Sequence, residues 1–196
     1  MKIAEAFMTG THRKVLGIPL MLSAEDEGVE ILRKVYEHQP TGALASDVVQ
    51  LVADYYWSKG RWPEAEDYYD KYCREFPNGP AVREAELRRA KCAFERCRGP
   101  RYDTTSLQTA YDRLSQFKQK YPAQAEQEGV PALLTTIVDM QAHGLYETAA
   151  HYRRSGQPLA AAHYAELLRE RFPDSPWSEQ AARFLAPAGP KEEARP

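Results

Sequence analysis

The sequence predicts an all-α protein: a solenoid of stacked helix pairs, a right-handed superhelix, with an irregular segment or small β-hairpin near the N-terminus. Three observations point there. The stretch Ser46–Gly79 reads as two antiparallel helices joined by a glycine turn. Its packing and turn residues recur at a shift of 96, the step from Ala53 to Ala149. Aromatic-proline pairs, Phe76-Pro77, Tyr121-Pro122 and Phe172-Pro173, stop a helix at each corresponding place.

In the central stretch Ala53 and Tyr56 share one face of the first helix. Gly60 ends that helix, and Ala65, Tyr69 and Tyr72 share a face of the second. Small residues at Ala53 and Ala65 let the helices approach, and the tyrosines fill the space around the contact. The period of about 34 residues is that of a tetratricopeptide repeat. The distant copy carries Ala149, Tyr152, Gly156, Ala161, Tyr164, Phe172 and Pro173 where the first has Ala53, Tyr56, Gly60, Ala65, Tyr68, Phe76 and Pro77. Partial copies appear at Ala110, Leu114 and Phe117, and at Leu32, Val35 and Pro40.

Taken in order, Lys2–Met8 has the amphipathic spacing of a short helix. The tract THRKVLGIPLML, Thr11–Leu22, is irregular or a hairpin centred on Gly17, because Gly17 and Pro19 interrupt a β-prone run. Ser23 or Ala24 opens a helix whose acidic first turn suits the helix dipole. Val29, Leu32, Val35 and Tyr36 mark its buried face, and Pro40 with Gly42 closes it. Beyond Pro77, Pro80 restarts a helix at its first position, burying Ala85, Leu87, Ala90, Phe94 and the stem of Arg88. The loop RGPRYDTTS precedes a helix capped by Asp103 or Thr104, which Tyr121-Pro122 ends. A long helical region runs from Ala123 to Ser155, broken near Gly129-Val130-Pro131. Gly156 turns it back into Pro158–Arg171. A last helix capped by Ser175-Pro176 covers the open end with Trp177, Ala181, Phe184 and Leu185, as terminal repeats require. The domain limits are thus 1–22 for the N-terminal segment, 23–186 for the repeat domain and 187–196 for a tail of disordered composition.

Composition sets the function class. Net charge is −2 with interspersed signs, so the footprint of a nucleic-acid binder is missing. No apolar run approaches a membrane span. Three cysteines, Cys73, Cys92 and Cys97, match neither a disulfide framework nor a zinc pattern. The five histidines form no HExxH, and neither a P-loop nor a nucleophile elbow is found. No catalytic residue, cofactor or metal is expected, and the chain reads as a non-enzymatic interaction scaffold.

The tract LYETAAHYRRSGQPLAAAHYAELLRERFPDSP resembles the last repeat of the BamD/YfiO-type outer-membrane assembly lipoproteins. FPNGPAVREAELRRA and the loop RYDTTSLQTA fit the middle of that family in kind and in order, and the resemblance runs from Glu27 to Leu185. THRKVLGIPLML stands where the family has the first helix of its first repeat. The resemblance implies a periplasmic protein on the inner face of the outer membrane. It also implies two kinds of partner, a barrel-assembly protein with periplasmic domains and unfolded segments of barrel proteins. Membrane association is expected only through a lipid anchor upstream of Met1; without such a leader the expected place is the cytoplasm. The alternative reading is a general tetratricopeptide adaptor with another client.

In stacked repeats the first helix of each pair lines the binding face. Opposite Ala53 and Tyr56 that helix carries Asp47, Gln50, Asp54 and Trp57; the shift of 96 gives His143, Tyr146, Ala150 and Arg153, with Arg154 alongside. Aromatic anchors beside charged groups suit a peptide segment. Trp57 and Tyr146 are the expected anchors, and Arg153-Arg154 the expected receiver of a carboxylate.

Overall fold

The structure, a computed structural model, describes residues 14–15, 18–19, 24–40, 42, 44–97 and 104–185. The expectations for Lys2–Met8, for the loop and cap around Asp103, and for the C-terminal tail lie outside the described residues.

The chain divides into two compact units, Met1–Arg96 and Cys97–Pro196. In the first, strands β1 (Lys14–Val15) and β2 (Ile18–Pro19) pair antiparallel with Val15 opposite Ile18, the hairpin expected around Gly17. Then come α1 (Ala24–His38), α2 (Ala45–Ser58), α3 (Trp62–Glu75) and α4 (Val82–Arg96). The second unit holds α5 (Thr104–Lys120), α6 (Pro122–Gln127), α7 (Val130–Arg154), α8 (Pro158–Arg171) and α9 (Pro176–Ala181), with a 3-10 turn over Ala182–Phe184. Apart from the hairpin, the described residues form helices and turns, and within each unit consecutive helices pack on one another. The fold is an all-α solenoid of tetratricopeptide type.

The repeat signature has a physical counterpart at every mark. Ala53 and Ala65 are fully buried in one core with Tyr69 and Tyr72; Ala149 and Ala161 are fully buried in turn. Gly60 and Gly156 both take left-handed backbone, φ 67° and 73°. At the first turn the Gly60 N–H bonds Trp57 O and the Arg61 N–H bonds Tyr56 O, both at 3.0 Å; Gly156 and Gln157 make the same two bonds to Arg153 and Tyr152. Left-handed backbone costs an L side chain energy and glycine almost none, so the turn sits on glycine. Phe76, Tyr121 and Phe172, each before a proline, share one conformation, with φ of −126°, −134° and −136°. Each still donates its N–H to the carbonyl four residues back while the proline bars a further helical turn.

Three expectations are corrected. Tyr56 and Tyr152 are half-buried rather than enclosed, because each lies at the flank of its pair against Tyr68 or Tyr164, with ring centroids 5.6 and 5.3 Å apart. Helix α4 opens at Val82, not at Pro80: the Tyr72 hydroxyl accepts the Ala81 N–H at 3.1 Å, and the Val82 N–H closes a turn onto Gly79 O. Val35, expected in the core, is exposed.

The second unit closes as predicted. Ser175 caps α9 by accepting the Trp177 N–H, and the Ser178 hydroxyl donates to Leu168 O and Phe172 O. Ala181 and Phe184 are buried in one cluster with Ala142, Tyr146 and Leu168, and Trp177 and Leu185 pack against it.

The turn into α4 leaves no room at Gly79. A Cβ there would lie 2.6 Å from the Tyr72 hydroxyl oxygen and 3.0 Å from Phe76 O, and the Tyr72 ring is buried. Gly79→Ala is therefore expected to destabilise the chain by about 1–3 kcal/mol through overpacking, read as a lowered midpoint in thermal or urea denaturation; an unchanged midpoint contradicts the close packing of this turn.

Candidate partner-binding faces

Asp47, Gln50, Asp54 and Trp57 lie along one stripe of α2, and all four are half-buried. The Ser46 hydroxyl donates to Asp47 at 3.4 Å. Asp54 sits at the centre of a polar cluster. Its Oδ1 accepts from the Tyr69 hydroxyl at 2.6 Å and from Arg88 Nη1 at 2.6 Å. Arg88 also donates from Nη1 to the Tyr69 oxygen at 3.1 Å and from Nε to Glu84 at 2.6 Å. Burial raises the Tyr69 phenol pKa well above its ordinary range; the bond to Asp54 raises it further, and Arg88 opposes both. Burial acts to lower the pKa of Arg88, but the bond to Tyr69 and the charges of Asp54 and Glu84 outweigh it, and the guanidinium is held firmly cationic.

Trp57 is part of this cluster. Its ring meets Trp62 edge-on at 5.2 Å and Tyr69 at 6.4 Å, and the Arg88 guanidinium lies 5.7 Å from its centroid. One face of the indole is thus committed to the fold. Sequence reasoning counted Arg88 as a packing stem and missed its role here. The signal was present in EAELR, where Glu84 and Arg88 are four apart on one helix face. Two further ion pairs fix α4 on α3: Arg89 to Asp70 at 2.7 Å and Arg96 to the buried Glu66 at 2.8 Å.

In the second unit the corresponding stripe of α7 has a different chemistry. Tyr146 is 8% exposed, covered by Trp177 and Phe184 with ring centroids 5.4 and 5.8 Å away, and Arg183 donates to its hydroxyl. It is the floor on which the capping segment closes, so its ring does not stand open on the face. His143 is half-buried and stacks on Trp177 at 4.2 Å, with Glu147 at 3.8 Å. Trp177 in turn donates from Nε1 to Asp139 at 2.8 Å. Ala150, in the place of Asp54, is buried and brings no carboxylate. Arg153, in the place of Trp57, is half-buried; its Nη1 is shut off from solvent and has no hydrogen-bond partner among the described residues. Arg154 is exposed.

A cleft of about 1440 Å³ also lies in the second unit, lined by Gln108 and Tyr111 of α5, by Gln141, Thr148 and His151 of α7, and by Arg171. Gln141 Nε2 donates to Gln108 across it at 3.3 Å. Among the described residues, no three His, Cys, Asp or Glu side chains converge as metal ligands would.

Stacked helix pairs of this kind define the class of tetratricopeptide-type repeat proteins. Over residues 23–189 the sequence matches the YfiO family, described as an outer membrane lipoprotein. The match covers most of the chain, and the chain belongs to that family. A comparison with curated proteins returns no match. No helix among the described residues is long and apolar enough to cross a membrane.

Arg88→Met keeps the stem but takes the cation from Glu84 and from Asp54, which keeps only its bond from the Tyr69 hydroxyl. Both carboxylates are partly open to solvent, so the expected loss is about 1–2 kcal/mol, with a change in tryptophan emission as the guanidinium leaves the Trp57 ring. Chemical denaturation followed by fluorescence reads both; a variant identical to the parent in midpoint and spectrum shows that the cluster does not order Trp57.

Proposed function

We propose that this chain is a non-enzymatic scaffold of outer-membrane β-barrel assembly, working at the periplasmic face of the outer membrane. Its partners are a barrel-assembly protein with periplasmic domains and unfolded segments of barrel proteins. The family match over residues 23–189 supports the setting.

The site reading rests on the two stripes. The stripe on α2, Asp47, Gln50, Asp54 and Trp57, offers an indole braced from behind by Arg88 and Trp62. A rigid aromatic flanked by hydrogen-bonding groups loses little entropy when a peptide packs on it. On α7 the stripe offers His143, Arg153 and Arg154, while Tyr146 is taken up by the capping segment. One observation carries the recognition chemistry: the buried, unpartnered N–H of Arg153. A buried donor without an acceptor costs about 1–3 kcal/mol, and a carboxylate, as an acidic side chain or a chain end, removes that cost with a charge-assisted bond.

The test is binding of barrel-protein C-terminal peptides, and of the partner's periplasmic domains, to the parent, Trp57→Ala and Arg153→Glu by calorimetry. Circular dichroism serves as the check of folding. Trp57→Ala is expected to weaken at least one partner about 30-fold, the loss typical of an anchor. Arg153→Glu is expected to weaken free-carboxylate peptides more than their amidated forms. Two folded variants that bind every partner as the parent does refute the assignment.

A further inference from the structure

Gly144 stands in the middle of α7 and makes no turn. It lies inside the helix, unlike Gly156 with its positive φ, and a Cβ added there would meet nothing within 4 Å. Neither backbone strain nor crowding calls for glycine at this place. A glycine inside a helix is less stable than alanine, because it gives up more backbone freedom on folding.

The shift of 96 shows what the position holds in the first unit. Gly144, Thr148 and His151 stand where α2 has Val48, Val52 and Tyr55. Those three are buried with Val29 and Leu32 of α1, and a cavity of only about 160 Å³ remains beside the valines. In the second unit Gly144 and Thr148 are half-buried, His151 is exposed, and all three line the cleft of about 1440 Å³. The cleft is open where branched side chains have given way to glycine and threonine.

Its lining tells what fits. Gln108 and Gln141 meet across it through one long bond of 3.3 Å. An amide side chain donates and accepts at once, so it pairs with the free N–H and C=O groups of an extended main chain; a helix has already used its own. Two further charged groups belong to the lining, Glu147 and Arg171. Glu147 has His143 at 3.8 Å, whereas Arg171 makes no hydrogen bond or ion pair among the described residues. Arg171 is thus the group left to take a carboxylate. Met140 to Tyr152, both in the lining, span about 18 Å of helix. That is the length of about five or six extended residues.

We propose that this cleft is a second protein-binding site, which takes an extended segment of a partner chain. The segment's main chain meets Gln108 and Gln141 and passes close over Gly144, and an acidic side chain reaches Arg171. The inference rests on the function proposed above, a scaffold that holds protein chains, but it uses neither Trp57 nor Arg153.

Calorimetry on the full chain tests it. The probe is a barrel-protein strand peptide that carries one aspartate and is acetylated and amidated, so that no chain-end charge remains; its asparagine twin is the control. Gly144→Ala is expected to raise Tm by about 1–3 °C and yet to weaken the aspartate peptide about threefold. Gly144→Leu, which fills the cleft, is expected to weaken it at least about tenfold. The parent is expected to prefer the aspartate peptide to its twin about tenfold, and Arg171→Gln to lose that preference. Trp57→Ala and Arg153→Glu are expected to bind the peptide as the parent does. A parent that does not bind it, or a Gly144→Ala variant with unchanged affinity, overturns the proposal. A Gly144→Ala variant that melts below the parent shows that the glycine serves the fold, and overturns it as well. Losses confined to Trp57→Ala or Arg153→Glu assign the peptide to the stripes instead. If C-terminal peptides still bind through Trp57 and Arg153, the scaffold reading survives and the cleft assignment alone falls.

Discussion

The close crossing of two helices at alanine is the contact on which the rest of this structure depends. Ala53 and Ala65 are fully buried in one cluster, and Ala149 and Ala161 are fully buried at the matching positions; such small residues bring backbones near enough for flanking aromatics to reach across. Everything that fixes helix length serves this crossing. A glycine with positive φ reverses the chain without extra residues, and an aromatic-proline step stops the second helix at one length each time. A slip of one residue in either device would rotate the small residue off the contact and drive a large one into it. The costs are steep because packed interiors leave little free volume.

On that shared frame the two units carry different chemistry. In the first, a guanidinium from α4 reaches a carboxylate on α2 and the phenol of α3, so the polar groups satisfy one another. In the second, the carboxylate position is alanine and the indole position is arginine, and a charged donor is left without an acceptor. The same backbone thus holds an internally neutralised stripe in one place and, in the other, a half-buried guanidinium with one N–H unpartnered among the described residues. The capping segment adds to this contrast, because Trp177 closes over Tyr146 and ties His143 and Asp139 to the end of the array.

Much of the fold was legible because its determinants are local. Gly60, Gly156, Pro77, Pro122 and Pro173 act through backbone geometry within a few residues, and the small-aromatic spacing survives in the sequence at a constant shift. The misses share a different cause. Tyr56 and Tyr152 were expected inside because aromatics at helix crossings usually are, but each needed only a tyrosine partner at the edge. Tyr146 was expected to stand open, and it is covered by a tryptophan thirty-one positions later, beyond the reach of any periodicity. Arg88 joined the α2 stripe through a contact spanning two helices, which the spacing within α4 could hint at but not aim. Val35 fitted an apolar pattern, and what spacing alone cannot say is which side of a helix its neighbours cover.

The central functional claim is that Arg153 takes its carboxylate from a partner because position 150 does not supply one. Ala150→Asp tests it directly, since it restores on α7 the carboxylate that Asp54 provides on α2, one turn from the guanidinium. Ala150→Asn, of the same size without the charge, controls for packing. In calorimetry with a free-carboxylate barrel-protein peptide, the account predicts about tenfold weaker binding for folded Ala150→Asp than for folded Ala150→Asn. Equal binding by the two folded variants would contradict it.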